Sequence, residues 1–296
     1  MPLFAVSFNN GFRKNACMMY DIIQAFVLYM EKMDEEFRIH PEAGGYLAGK
    51  YRIIREIARG GMGIVFAAED LVLNKKWAVK KIQSSSGRLP LEAEILLSLS
   101  HPSIVRAREA ISTQNDVYIV MEYIPGVTLE RYLKENGPLS ERLVQRWAAE
   151  LCGALKYLHT RTPAVIYKDM KPANIMVCFN EKLKLIDFGA AAFFESDAQN
   201  TGSSYGTRGY APPEQYASAA DERADIYSFG ITLHRMLTGR DPSKGGAYIP
   251  ARALRPDVSS RMADLIEKCV QKDPAQRYHS CREILRDLEH IKPVRK

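Results

Sequence analysis

"VIYKDMKPANIMV", residues 165–177, sets a carboxylate, an ammonium and a carboxamide within six positions: Asp169, Lys171 and Asn174. The apolar residues that follow, Ile175 to Val177, read as a short strand behind the polar loop. A carboxylate that orients a hydroxyl and takes its proton, a cation beside it, and an amide oxygen for a hard metal ion are the parts that phosphoryl transfer needs. One further oxygen ligand is required, because Mg²⁺ favours such donors. "LIDFGA" supplies it: Asp187 ends a short apolar strand, 18 residues after Asp169.

Upstream, "YRIIREIA", "GIVFAAED", "KKWAVKKI", "SIVRAREAI" and "DVYIVMEYI" read as five short strands, rich in Val, Ile and Tyr and separated by turn residues. One helix interrupts them. It is "PLEAEILLSLS", with Pro90 at its first position and Leu96 and Leu99 on one face. After "IPGVT" the pattern becomes helical: "LERYLKEN", "SERLVQRWAAELCGALKYLHT", "DERADIYSFGITLHRMLTG", "VSSRMADLIEKCVQKD" and "SCREILRDLEHI". Two short strands, "IMVCF" and "LKLIDF", lie between the second and third of these helices. The fold class is therefore α+β. A small five-stranded antiparallel sheet lobe with one helix precedes a larger, mainly helical lobe, and the two join near Pro125–Gly126.

"IARGGMGIVF" joins the first strand to the second, and Gly60, Gly61 and Gly63 let backbone N–H groups approach phosphate oxygens closely. In "WAVKKI", strand alternation puts Ala78 and Lys80 on one face and Val79 and Lys81 on the other. Lys80 then points inward and Lys81 toward solvent. A buried lysine needs a carboxylate partner. Glu92 shares the inward face of its helix with Leu96 and Leu99, whereas Glu94 falls off it, so Glu92 is the expected partner.

With these elements in order, residues 51–291, about four fifths of the chain, resemble the eukaryotic-type (Hanks-type) protein kinase family, and the Gly-Gly-Met-Gly spelling is similar to bacterial serine/threonine kinases. The resemblance implies a bilobal protein-kinase-like fold and an ATP-dependent transfer of the γ-phosphoryl group to Ser or Thr hydroxyls of proteins, the chain itself included. It implies that Lys80 holds the nucleotide phosphates, that Asp169 is the catalytic base with Lys171 and Asn174 beside it, and that Asn174 and Asp187 hold Mg²⁺, with Mn²⁺ as the alternative. The implied nucleotide pocket comprises Ile57, Ala58, Gly60, Gly61, Gly63, Val65, Ala78, Lys80, Glu92, Met121, Glu122, Ile124 and Met176. Within it Met121 is the gatekeeper, and the backbone of Glu122 and Ile124 meets the adenine edge. "GTRGYAPPEQY" resembles the segment that receives the protein substrate, with Thr207 beside the acceptor. Glu214 would pair with Arg277, and Asp225 would anchor the catalytic loop backbone from its helix. Lys171 is similar to Ser/Thr rather than Tyr kinases.

The chain departs from that pattern at several places. Ala58 replaces the first glycine of the loop, and Tyr167-Lys168 replaces the family's His-Arg before the aspartate. Tyr167 can fill the place beneath the Phe of D-F-G, with its hydroxyl near a polar neighbour. Lys168 keeps a charge but loses the bidentate grip on an activation-loop phosphate. The expectation is a working kinase rather than a catalytically dead one, less dependent on activation-loop phosphorylation, with Ser196, Thr201, Ser203 and Ser204 available for autophosphorylation. Only eleven residues separate Lys80 from Glu92, so the regulatory helix starts close to Glu92. "RDPSKGGAYIPARA" suggests that the substrate-docking helix of the family is shortened or missing.

Composition narrows the class without deciding it. Over 296 residues, 46% are apolar and 26% charged, which excludes a disordered or fibrous chain. A net charge of +6 is too mild to argue for nucleic acid. The five cysteines, Cys17, Cys152, Cys178, Cys269 and Cys281, show no metal spacing and read as reduced thiols of a cytoplasmic protein. Residues 16–33 carry the apolar positions Ile22, Phe26, Tyr29 and Met33 at helical steps, but Asp21 and Gln24 interrupt any membrane span. That amphipathic helix is expected on the domain's own surface, with a partner or membrane contact as the alternative. "MDEEFRIH" from Met33 also reads as a natural start. The expected layout is an N-terminal extension over 1–45, a kinase domain over 46–292 (46–125 and 126–292 for its lobes), and a tail over 293–296. The expected partner is a protein substrate; the residues give no oligomeric state.

Overall fold

The computed structural model describes residues 44–61, 63–84, 89–194, 206–216 and 220–291. The expectations for the amphipathic helix, for Cys17 and for Ser196, Thr201, Ser203 and Ser204 lie outside these residues. The described chain divides into two compact units, one holding residues up to Ile57 with Phe66–Lys76, the other Ala58–Val65 and Trp77 onward.

In the smaller unit, β1 (Tyr46–Leu47) runs antiparallel to β2 (Tyr51–Gly60), with Leu47 opposite Tyr51. Buried and exposed residues alternate from Tyr51 to Ile53, so one face of this hairpin is in the core. Beyond Asp70, the last residue of β3 (Gly63–Asp70), the chain turns because the Asp70 carboxylate accepts from Val72 N and Leu73 N, each at 2.9 Å. Six strands belong to the main sheet, one more than the sequence suggests. The addition is β1, whose two residues are too few to leave a periodic signature.

In the larger unit, β4 (Lys75–Gln83) pairs antiparallel with β6 (Asp116–Glu122), and β5 (Ala107–Ser112) pairs with the other edge of β6. β6 is buried on both faces from Val117 to Met121, which explains its continuous apolar run. Helix α1 (Leu91–Ser98) begins after Pro90, not on it: the Pro90 carbonyl accepts from Ala93 N and Glu94 N, so proline stands just outside as the cap.

The chain then forms β7 (Gly126–Thr128), α2 (Leu129–Asn136), α3 (Glu141–His159) and β8 (Val165–Ile166). A single tight turn (Pro172–Asn174) leads to β9 (Ile175–Cys178), β10 (Leu183–Leu185) and β11 (Ala192–Phe193). β10, β9 and β7 make one small sheet, while β11 pairs with β8. The helices α4 (Pro213–Tyr216), α5 (Glu222–Thr238), α6 (Ala251–Leu254), α7 (Ser260–Cys269) and α8 (Cys281–Glu289) complete it. Where a docking helix was expected to be shortened or missing, only the four-residue α6 forms.

Their ends follow the sequence. Thr128, Ser140, Asp221 and Ser259 each accept a backbone N–H at a helix start, worth about 0.5–2 kcal/mol apiece. Gly239 closes α5 with φ 71°. α5 is buried from Ala224 to Leu237 except at Tyr227, and α3, α6 and α7 pack against it. Its polar side chains must therefore find partners inside the protein.

Candidate active site

The glycine turn comes first along the chain. A Cβ on Gly60 or Gly61 would meet nothing within 4 Å, but one on Gly63 would stand 2.2 Å from the Lys81 carbonyl oxygen, and Gly63 has φ 135°. Gly63 is therefore glycine because the backbone of β4 passes so close, while the other two leave open space. Ala58 is exposed, and Val65 is half-buried against the core. Ile57 belongs to the smaller unit and is 37% exposed.

Ala78 and Lys80 of β4 are both buried. Lys80 Nζ donates to Glu92 Oε1 at 2.6 Å and to Asp187 Oδ1 at 2.8 Å. Burial opposes its charge, but these two carboxylates outweigh it and hold the ammonium's pKa above the ordinary lysine value. For Asp187, burial is overcome by Lys80 and by the Gly189 N–H, and its carboxyl is held below the ordinary range. One ammonium faces two carboxylates, which leaves this cluster negative. Lys81, expected in solvent, instead pairs with Asp116 at 2.9 Å over the Tyr118 ring. Glu94 is exposed.

Asp187 reaches Lys80 because the strand before it is fixed. Leu185 N donates to Ser103 O at 2.9 Å, and Val105 N donates to Leu185 O at 2.8 Å. Ile186 N donates to Asn174 O at 3.1 Å, which joins this strand to the polar loop.

In that loop Asp169 and Asn174 are buried. Thr207 Oγ1 donates to Asp169 Oδ1 at 2.7 Å, and Lys171 Nζ donates to Asp169 Oδ2 at 2.8 Å and to Thr207 Oγ1 at 2.6 Å. Asn174 Nδ2 donates to Asp169 Oδ2 and to the Asp169 carbonyl, so its Oδ1 faces the other way. The loop backbone is held from α5: Asp225, fully buried, accepts Tyr167 N at 2.8 Å and Lys168 N at 2.7 Å. His159, from the end of α3, also contacts Asp225 through Nε2 at 2.9 Å. Burial disfavours the imidazolium, but the bonds to Asp225 and Cys281 prevail and raise its pKa to about 10. Sequence reading passed over His159; its one signal is a position at the helix end just before the loop. Burial pushes the Lys168 ammonium down, with Asp225 opposing.

Tyr167 stands edge-on to Phe188, ring centroids 5.0 Å apart. Its hydroxyl has the backbone N–H of Asp187 as its polar neighbour, but no well-formed hydrogen bond among the described residues. Burial, with Asp187 and Asp169, raises its pKa well above the ordinary tyrosine value, and the Asp187 N–H opposes that rise. The ring fills the space and the oxygen is only weakly satisfied.

Met121 is buried on β6, opposite Ala78. The Glu122 side chain accepts from Lys184 Nζ at 2.6 Å and from Arg106 N at 2.9 Å. Ile124 and Met176 are half-buried, with Met176 opposite Lys184 in the β9–β10 pair. On the acceptor side, Arg277 is 1% exposed and forms an ion pair with Glu214. It also donates to the carbonyls of Gln271, Arg223 and Lys272 and lies over the Tyr227 ring. Gln215, not singled out from the sequence although next to Glu214, donates from Nε2 to the Lys168 carbonyl at 2.8 Å.

Two clusters thus adjoin: Lys80, Glu92 and Asp187 in one, Asp169, Lys171, Asn174 and Thr207 in the other. Their donor set suits a divalent cation, since Asp187 and the outward Asn174 Oδ1 are hard oxygens beside a net negative charge. Among the described residues no helix is long and apolar enough to cross a membrane.

Comparison with known proteins agrees with this geometry. The family described as "Protein kinase domain" matches residues 51–288. A probable serine/threonine-protein kinase of Clostridium acetobutylicum is 33% identical over 84% of this chain and 41% of its own length. The serine/threonine-protein kinase PrkC of Bacillus subtilis is 31% identical over 83% of this chain and 41% of its own, and PknB of Mycobacterium tuberculosis 31% over 83% and 43%. The chain therefore spans about two fifths of the length of these curated relatives. By its fold, its paired clusters and this match over most of its length, the chain belongs to the protein kinase domain family.

Proposed function

We propose that the chain is an ATP-dependent serine/threonine protein kinase that phosphorylates protein hydroxyls, its own included. The observation that carries this reading is Lys80 Nζ held between Glu92 at 2.6 Å and Asp187 at 2.8 Å, which sets a cation and a metal-ligating carboxylate side by side. In this reading Lys80 orients the nucleotide phosphates, and the glycine turn covers them. Met121, Met176, Val65, Ala78 and the hinge backbone at Glu122 and Ile124 enclose the adenine. Asp169 orients the acceptor hydroxyl and takes its proton. The bond it already accepts from Thr207 is of the kind a serine or threonine acceptor would give. Lys171, bonded to that same carboxylate, places a positive charge where the transferred group passes. Asn174 and Asp187 would hold Mg²⁺, which supplies charge neutralisation on the phosphates.

The kinase domain spans 46–292, with 1–45 as an N-terminal extension. A chain that draws on ATP and carries four free thiols among its described residues acts on the cytoplasmic side. The test is labelled ATP with Mg²⁺ on the purified protein, with Asp169→Asn alongside and phosphosites mapped. Label on Ser or Thr, reduced about 10²–10⁴-fold in the variant, is the expected result. Nucleotide binding without any label would instead identify a non-catalytic member of the family.

A further inference from the structure

Lys168 has φ 66°. A non-glycine residue in this left-handed region is strained and persists only where its surroundings over-determine it. Lys168 immediately precedes Asp169, so its torsions set the direction in which that carboxylate leaves the backbone. Both of its backbone polar groups are held by side chains from distant parts of the chain. The N–H donates to Asp225 Oδ1 at 2.7 Å, and the carbonyl accepts from Gln215 Nε2 at 2.8 Å.

Gln215 is 4% exposed on the short α4, beside the Glu214 that Arg277 fixes. Its amide also lies against Gly206. A Cβ at that glycine would stand 2.7 Å from Gln215 Nε2 and 2.6 Å from the Ala211 Cβ. Any larger residue at 206 would push the amide away from the Lys168 carbonyl. Gly206 precedes Thr207, and Thr207 donates to Asp169. Gln215 thus lies between Lys168 and Gly206, the residues that immediately precede Asp169 and Thr207.

We propose that Gln215 is a positioning residue for phosphoryl transfer: by holding the Lys168 carbonyl it fixes the left-handed turn that aims Asp169 at the acceptor hydroxyl. This rests on Asp169 acting as the base in the reading above. The bond couples α4, part of the substrate-receiving segment, directly to the catalytic loop. Asp169 is aimed only while α4 is docked.

The test uses the full chain with Gln215→Leu, similar in size without a donor, and Gln215→Glu, which turns a carboxylate toward the carbonyl. Each is made alone and with Lys168→Gly. Labelled ATP with Mg²⁺ gives autophosphorylation, dephosphorylated casein serves as acceptor, and melting temperatures are recorded. A misplacement near 1 Å predicts a kcat loss of about 10²-fold with little change in KM for ATP. Glycine adopts φ 66° without penalty. In the Lys168→Gly background, removing the Gln215 donor should therefore cost much less. Equal kcat for wild type and Gln215→Leu overturns the proposal. So does a loss that follows the melting temperature and stays the same with Gly at position 168. If the wild type itself labels nothing, the kinase reading fails and this one falls with it.

Discussion

The glycine turn and the catalytic loop face the same chemistry but are built in opposite ways. From Ala58 to Gly61 the turn is exposed, and two of its three glycines look into open space. Only Gly63 is dictated by a neighbour, the Lys81 carbonyl. From Tyr167 to Asn174 the loop is the reverse: Asp169 and Asn174 are buried, and Asp225, Gln215 and Thr207 each grip it from outside. In the proposed reaction, the side that would receive the proton is held in advance by bonds formed on folding. The side that would cover the phosphates is left open. Preorganisation is concentrated where a small misplacement costs most.

The largest test of this contrast is Asp225→Ala. It frees two backbone N–H groups, that of Tyr167 buried and that of Lys168 partly so, and strips the His159 imidazolium of its carboxylate partner, so a loss of about 3–5 kcal/mol is expected in denaturant unfolding, with phosphorylation abolished. Retained stability would mean that the loop is not held from α5. Next comes Gly63→Ala against Gly61→Ala. The first forces the backbone out of φ 135° and away from Lys81, at a cost of about 1–3 kcal/mol by thermal melting. The second should stay within about 0.5 kcal/mol and alter only nucleotide affinity, read by ATP titration. Equal losses at the two positions would erase the distinction drawn within the turn. The smallest effect belongs to Tyr167→Phe. It deletes a buried hydroxyl that is only weakly satisfied by the Asp187 N–H and keeps the ring against Phe188, so stability should change by at most about 1 kcal/mol, with activity kept. A clear loss would show that the oxygen has a role in the site.

Much of this site was legible because phosphoryl transfer constrains residue type and spacing together. Lys80 was chosen over Lys81 by strand alternation, Glu92 over Glu94 by helix face, and the described structure buries Lys80 and Glu92. What escaped the sequence was long-range bonding by residues that the motifs do not single out. His159 lies 66 residues from Asp225, and Gln215 lies 47 from Lys168. No local period records such a bond, and a lone His or Gln is by default an ordinary packed or solvated residue. The difference among the three glycines was equally invisible, since it depends on a carbonyl of the next strand. The sixth strand escaped by its brevity, and the weakly satisfied Tyr167 hydroxyl because an aromatic ring satisfies shape whether or not its oxygen is satisfied.

The grip of Asp225 and Gln215 on the loop at Tyr167 and Lys168 also has a consequence in time. Synthesis delivers the chain from its N-terminus, at about 5–20 residues per second. The whole of "YKDMKPAN" is made before Gln215 and Asp225, which hold its backbone. Gln145 of α3 is in turn held by the carbonyls of Leu288 and Ile291, at the far end of the described chain. A nascent or truncated chain that ends between Asp187 and Gln215 contains "YKDMKPAN" and Asp187 and lacks both side chains that hold the loop backbone. In the proposed reaction the loop is therefore armed only after Gln215 and Asp225 have been made and have closed on it.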